Sequence, residues 1–285
     1  MALKYSVTSV MLPNYDLPGT CKLLKDNGYD GLELRVRYYT GPADATPGCW
    51  GRHLTDVSPD NVVSRAPEIR AVLADHDLPV ISFASNCGAH ELETVTKLAA
   101  GAEALGCPRI RVGAPRGYKG DVNYWTLYDE AVKAYEQVIA IFKPRGIKAV
   151  IEIHGGTIMV SASLAHRIVS NFDASDIGVI YDPQNMVADG FETTSLGLDL
   201  LGDYVAHLHV GGHSCVPGER DATGTVRWSY PRCPIADGVY HYPTLIQQLV
   251  KRGYDGYISL EDFSDAEPAA DKVADAITYL KSLEN

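Results

Sequence analysis

The chain has 285 residues and a formal charge of −11 at pH 7, with no stripe of Lys and Arg; nucleic-acid and anionic-membrane surfaces need such clustered cations and are excluded as partners. Its 46% hydrophobic content supplies a large core, yet no apolar run approaches the ~18 residues of a membrane span. Six scattered cysteines without a CxxC pair, and a start that enters a strand pattern with no signal-peptide layout, read as a reduced cytoplasmic chain.

Taken in order, short β-branched runs alternate with stretches of helical period. Residues 4–10 predict a first strand and 17–27 a helix stopped at Gly28. A second strand follows over 31–36, then a polar, glycine-rich segment over 38–57. Ser58-Pro59-Asp60 predicts a helix start, Ser at the N-cap and Pro at the first helical position, with the helix running to Asp75. Strands over 78–84 and 109–112 flank a helix over 90–105, and a helix over 124–142 ends at Pro144-Arg145-Gly146. The fifth strand lies within 147–153, with a helix over 161–171. A sixth strand over 177–181, a short helix over 194–201 and a seventh strand over 204–210 lead into a loop reaching to 238. A helix over 242–252, a strand over 256–260 and a helix over 266–283 complete the chain. Eight strands alternating with eight helices predict one α/β domain over 1–285, a (β/α)8 TIM barrel with long loops after strands two and seven. An open doubly wound sheet would carry a Gly-rich turn after its first strand; Val10-Met11-Leu12-Pro13-Asn14 is not one.

In such barrels, chemistry sits at the C-terminal strand ends. There the apolar strands are interrupted: strand five by Glu152 and His154, strand six by Asp182 and Asn185, strand seven by His207 and His209, strand eight by Glu261 and Asp262. Glu152, Asp182, His209 and Glu261 come from four successive strands at corresponding heights. Three carboxylates facing one small space repel one another, and a divalent cation resolves the conflict. Three oxygen donors and one imidazole suit Mn²⁺, Mg²⁺ or Co²⁺; manganese is the expected ion, and Zn²⁺ lacks a thiolate to favour it.

The motifs IEIHGG, YDPQNM, AHLHVGG and GYDGYISLEDF, one per strand and in order, resemble the xylose-isomerase-like barrel superfamily of sugar (phosphate) isomerases and epimerases. The resemblance implies that Glu152, Asp182, His209 and Glu261 are metal ligands, with His207 packed one layer deeper. It has departures. Asp182-Pro183-Gln184-Asn185 stands where the epimerases and endonuclease IV carry Asp-x-x-His. Ile158 and Cys215 stand where ketose 3-epimerases place a Glu and an Arg against the sugar.

The implied chemistry is proton abstraction α to a carbonyl through a metal-stabilised enediolate, with Glu152 and Glu261 as the proton-moving pair. Returning the proton gives a sugar isomerase or epimerase. Loss of a β-substituent gives instead a lyase, an oxo-sugar or inosose dehydratase or a deglycosidase acting on a 3-oxo-glycoside. Expected substrate contacts are His154, His53, Asn185, Glu33 and Arg35, with Asn86 and His213 also in reach. Glu33 and Arg35 share a strand face and could pair with each other instead. Arg116 and Lys119 are the cations near strand four, and without an Arg/Lys pair at the strand-eight turn a free sugar or larger sugar conjugate is expected over a sugar phosphate. The long loops would cover that substrate or form the contact of a homo-oligomer or of a complex with a second subunit.

Overall fold

Runs such as Ile177-Gly178-Val179-Ile180-Tyr181, apolar at nearly every position, can satisfy both faces only when covered on both, and this one lies among eight strands that close on one another. The computed structural model describes residues 2–115 and 118–284, so Arg116 lies outside the described residues. The barrel strands are β1 (Lys4–Thr8), β2 (Gly31–Arg35), β3 (Val80–Ala84), β4 (Arg109–Arg111), β5 (Lys148–Glu152), β6 (Ile177–Tyr181), β7 (Val205–Val210) and β12 (Tyr257–Leu260). They form a closed parallel barrel in the order β1-β12-β7-β6-β5-β4-β3-β2. It is a single (β/α)8 TIM barrel.

Outside it run α1 (Leu17–Asp26), α2 (Val62–Asp75), α3 (Leu92–Leu105), α4 (Tyr124–Phe142), α5 (Ala162–Val169), α6 (Pro183–Asp189), α7 (Thr194–Leu201), α8 (Tyr242–Arg252) and α9 (Ala269–Ser282). Their starts follow local chemistry. Asp16, Ser161 and His241 each accept a first-turn backbone N–H of α1, α5 and α8, and Gly253, in the left-handed region, closes α8. None of the helices in the described residues is long and apolar enough to cross a membrane.

Three expectations change. Helix α2 starts at Val62, not at 58, because Asn61 Oδ1 accepts the Ser58 N–H at 2.8 Å and folds Ser58-Pro59-Asp60 into a separate turn. Helix α6 was unexpected: Asp182 caps it, accepting the Asn185 N–H at 3.1 Å, and Pro183 opens it. The stretch after β7 is not loop throughout. It holds two antiparallel pairs, β8 (Gly212–His213) with β11 (Arg232–Cys233), and β9 (Val216–Arg220) with β10 (Val226–Ser229). The β8–β11 pair lies against the barrel, whereas β9 is exposed along its whole length.

Candidate metal centre at the barrel mouth

Parallel register brings the polar strand ends together. Ser259 pairs with His209 and Leu260 with Val210, so Glu261 emerges beside the end of β7, its N–H donating to Val210 O at 2.8 Å. Gly211 allows this approach: a Cβ there would lie 2.5 Å from Glu261 O. Gln184, from α6, donates to the same carbonyl at 3.2 Å.

The structure brings Glu152, Asp182, His209 and Glu261 into one buried cluster, one ligand atom from each within 4.8 Å of the others. His209 is its centre. Its Nε2–H donates to Glu33 Oε2 at 2.9 Å, so the unprotonated tautomer turns the lone pair of Nδ1 inward. Nδ1 then faces Glu152 Oε1 at 3.4 Å, Glu261 Oε2 at 3.4 Å and Asp182 Oδ2 at 3.8 Å, with no hydrogen-bond partner among the described residues. A lone pair aimed at three carboxylates is repelled by all of them unless a proton or a cation lies between. These four residues therefore fit a divalent ion: three hard oxygen donors, one imidazole and a carboxylate behind the imidazole to orient it.

The charges respond to the same geometry. Burial opposes ionisation of Glu152, but Arg111, ion-paired to its Oε2, acts together with His209 and His154 to hold the carboxyl below its ordinary range. Burial and the neighbouring Glu152 push Asp182 well above its own. Burial disfavours charge on His209, yet Glu33 and Glu261 overcome it and raise the imidazole. For Glu33, burial is offset by His209 and His207, which hold it ionised.

The other sequence-selected residues separate by depth. Glu33 is fully buried and makes no ion pair with Arg35; it accepts from His209 and from Ser259 Oγ at 2.9 Å, and lies 3.6 Å from His207 Nε2. Asn185 is wedged between two of the clustered carboxylates, its Nδ2 donating to Asp182 Oδ2 at 2.6 Å and Glu152 Oε1 at 3.2 Å. His154 and Arg35 line the cavity above the cluster, His154 donating Nδ1–H to Gly155 O at 2.7 Å. His53 is buried within the loop after β2, its Nε2–H on Cys49 O at 3.1 Å, and does not line the cavity. Its neighbour Trp50 does, packed 4.6 Å from Phe263. Asn86 and His213 line the cavity too.

Sequence reading missed Arg111, whose signal was a charge at the end of β4 comparable to those on the strands that follow, and Arg37, Gln184 and Arg232. The cavity has a volume of about 610 Å³, within the range of small-ligand sites.

The sequence matches the family model described as xylose isomerase-like TIM barrel over residues 21–283. A comparison with curated proteins gives no match. Solved structures share the fold at low identity. A 3-keto-D-glucoside 4-epimerase from E. coli, in apo form, superposes with a TM-score of 0.74 at 15% identity, covering 99% of this chain and 100% of that one. A probable 3-DHS dehydratase of petrobactin synthesis from Bacillus anthracis gives 0.73 at 18% identity, covering 98% of each. A xylose isomerase-like TIM barrel protein from Mycobacterium smegmatis in complex with magnesium gives 0.70 at 16%, covering 99% of this chain and 97% of that one.

Proposed function

The chain belongs to the xylose isomerase-like TIM barrel family, and from that premise we propose that it is a divalent-metal-dependent sugar isomerase or epimerase that removes a proton α to a carbonyl. The observation that carries the reading is the unpartnered Nδ1 of His209, turned toward three carboxylates at the floor of a substrate-sized cavity. Glu152, Asp182, His209 and Glu261 would hold the ion, manganese by preference; the M. smegmatis protein of the same fold, in complex with magnesium, supports a hard cation. When bound, such a cation supplies Lewis acidity at the substrate carbonyl, which acidifies the neighbouring C–H.

The chain's own residues divide the rest. Glu152, half of the expected proton-moving pair, has both oxygens engaged, by Asn185 and by Arg111, and is held as an ionised anchor. Glu261 lines the cavity, and among the described residues no donor is hydrogen-bonded to its carboxylate. It is the group free to take the proton. His154 lines the same cavity, with Nδ1 committed to Gly155 O and Nε2 left as an acceptor, and relays the second proton.

A second reading, a lyase eliminating from an oxo-sugar, draws on the dehydratase of the same fold and on two cavity histidines, His154 and His213, which would carry to a leaving oxygen the proton that Glu261 takes. One experiment tests both. Purified protein should contain about one divalent ion per chain, lost in Glu152→Gln. The loaded enzyme, incubated in D₂O with ketoses and 3-oxo-glycosides, should place deuterium at the α-carbon of a recovered sugar. A lyase would instead release an ultraviolet-absorbing enone or an aglycone. Native protein free of metal, or inert toward every carbonyl sugar offered, would sink both.

A further inference from the structure

The cavity above the metal cluster is lined by four arginines, Arg35, Arg37, Arg111 and Arg232. Three are buried almost completely, with 3% of Arg35 and 7% each of Arg37 and Arg111 exposed. Buried guanidiniums are costly unless paired, and Arg side chains are rarely buried without a partner. Arg111 has one in Glu152, though its Nε carries no hydrogen bond. Arg35 and Arg37 have none: among the described residues neither forms an ion pair. Arg35 gives Nη2 to Gly51 O at 3.1 Å and leaves Nε and Nη1 unpartnered; Arg37 gives only Nε, to Ala84 O at 3.0 Å. Burial and the neighbouring Arg111 push Arg37 down to about 10, the response of a cation lacking its counter-charge.

The carboxylates that partly offset Arg37 are Glu261 and Glu152. Glu152 is taken by Arg111, and Glu261 is the group that the ion and the substrate proton would engage. With a divalent ion held, the four guanidiniums and the ion outnumber Glu33, Glu152, Asp182 and Glu261 by two positive charges, one of which Asp56, acting on Arg35 without an ion pair, offsets. Arg232 completes the ring from above. It reaches in from β11, its guanidinium 5.0 Å from the Phe263 ring and 5.8 Å from that of Trp50, a stacking that fixes the plane while leaving its edge N–H groups to a ligand. Loops after β2, β7 and β12 thus converge on one cationic mouth.

We propose that the substrate is an anionic sugar, carrying a carboxylate or a phosphate, and that Arg35, Arg37 and Arg232 bind this group while the carbonyl end lies over Glu261. The planar guanidinium fork matches either anion with two parallel N–H donors. This rests on reading the site as a sugar-acting metal centre; a phosphate would depart from the unphosphorylated sugar or sugar conjugate expected from the lack of an Arg/Lys pair at the strand-eight turn, and a carboxylate would not. The cations instead come from the β2 end and from β11.

The test is calorimetric binding to metal-loaded protein of three probes: D-fructose, D-fructose 6-phosphate and 5-keto-D-gluconate. At least one anion should bind about tenfold or more tighter than D-fructose, as expected for charge-assisted hydrogen bonds in a shielded site. Which anion leads tells phosphate from carboxylate. The advantage should shrink severalfold in Arg37→Ala and also in Arg232→Ala, an exposed position whose loss leaves the core intact. Equal or tighter binding of D-fructose, binding of no probe, or an anion advantage that survives both variants overturns the proposal. Deuterium exchange separates its failure from that of the reading beneath it. Exchange into D-fructose without anion preference leaves the metal-dependent sugar reaction standing and removes the anionic substrate. Anion preference without exchange into any probe does the reverse.

Discussion

Glu33 never reaches the cavity, yet it decides which face His209 shows to its neighbours. Its Oε2 takes the Nε2–H of His209 and the hydroxyl of Ser259, both at 2.9 Å, so that removing the carboxylate frees the imidazole to rotate or to exchange tautomer. In Glu33→Ala the metal affinity should fall about 10–100-fold, measured by competition with a fluorescent chelator, while the far-ultraviolet spectrum stays that of the native barrel. Unchanged affinity would remove Glu33 from the metal's support. His53 offers a test by pH. Burial, with Arg35 nearby, pushes its imidazole down to about 4, below the ordinary value near 6.5. The folded state therefore binds the proton less well than the unfolded chain. Stability should be independent of His53 above pH 6.5 and should fall as the pH drops from there toward 4. Urea unfolding of wild type and His53→Gln across that window checks the sign: the variant's stability should decline less. Glu33 and Arg35 show the limit of spacing as a signal. A separation of two places both side chains on one face of β2, but not at one depth, and depth separates the residue behind His209 from the residue in the cavity. Arg111 was readable only as a charge at a strand end; its partner was visible only once β4 and β5 were neighbours.

At the scale of elements, the strands were legible because a strand buried on both faces is apolar throughout, and any polar residue at its end stands out against it. The helix starts were less so where turn chemistry competes with helix chemistry. Ser58-Pro59 carries a start signal, yet Asn61 captures the Ser58 N–H first. Asp182-Pro183 carries the same pair of signals for α6, but a carboxylate at a strand end reads first as a metal ligand. In fact it serves twice, Oδ1 capping α6 and Oδ2 facing His209. The strand pairs after β7 have little hydrophobic pattern to betray them, since β9 and most of β10 are exposed. The turn between β7 and β8 depends on a missing side chain. In Gly211→Ala the new methyl group would press on Glu261 O and the Gln184 amide, so we expect a loss of about 1–3 kcal/mol in urea unfolding, typical of overpacking. Because the same contact sets the start of the Glu261 segment, weaker metal binding should accompany it. A fully stable variant with native metal content would show that the strand ends can separate without consequence.

Over the whole molecule, the barrel holds a repulsive charge cluster at one end of a well-packed core. Glu152, Asp182 and Glu261 converge on His209 with few compensating donors, and the rise of Asp182 above its ordinary range under burial and Glu152 records that conflict. The core must supply the stability that this mouth spends. A cation bound by the folded cluster, and by no comparable arrangement in the unfolded chain, should therefore stabilise the entire barrel by mass action. At a free Mn²⁺ concentration a hundred times the dissociation constant the gain is about 2.7 kcal/mol, which for a domain of this size raises the melting temperature by roughly 5 °C. Chelator should reverse the shift. Asp182→Asn, which keeps a cap oxygen for α6 while removing a ligand charge, should abolish most of it without collapsing the fold. Ranking Mn²⁺, Mg²⁺, Co²⁺ and Zn²⁺ by the shift each produces at equal concentration then tests the preference for manganese drawn from one imidazole among three carboxylates. A melting temperature indifferent to all four ions and to chelator would mean that the cluster balances its charge without a cation, through Arg111 and through protons on His209 and Asp182.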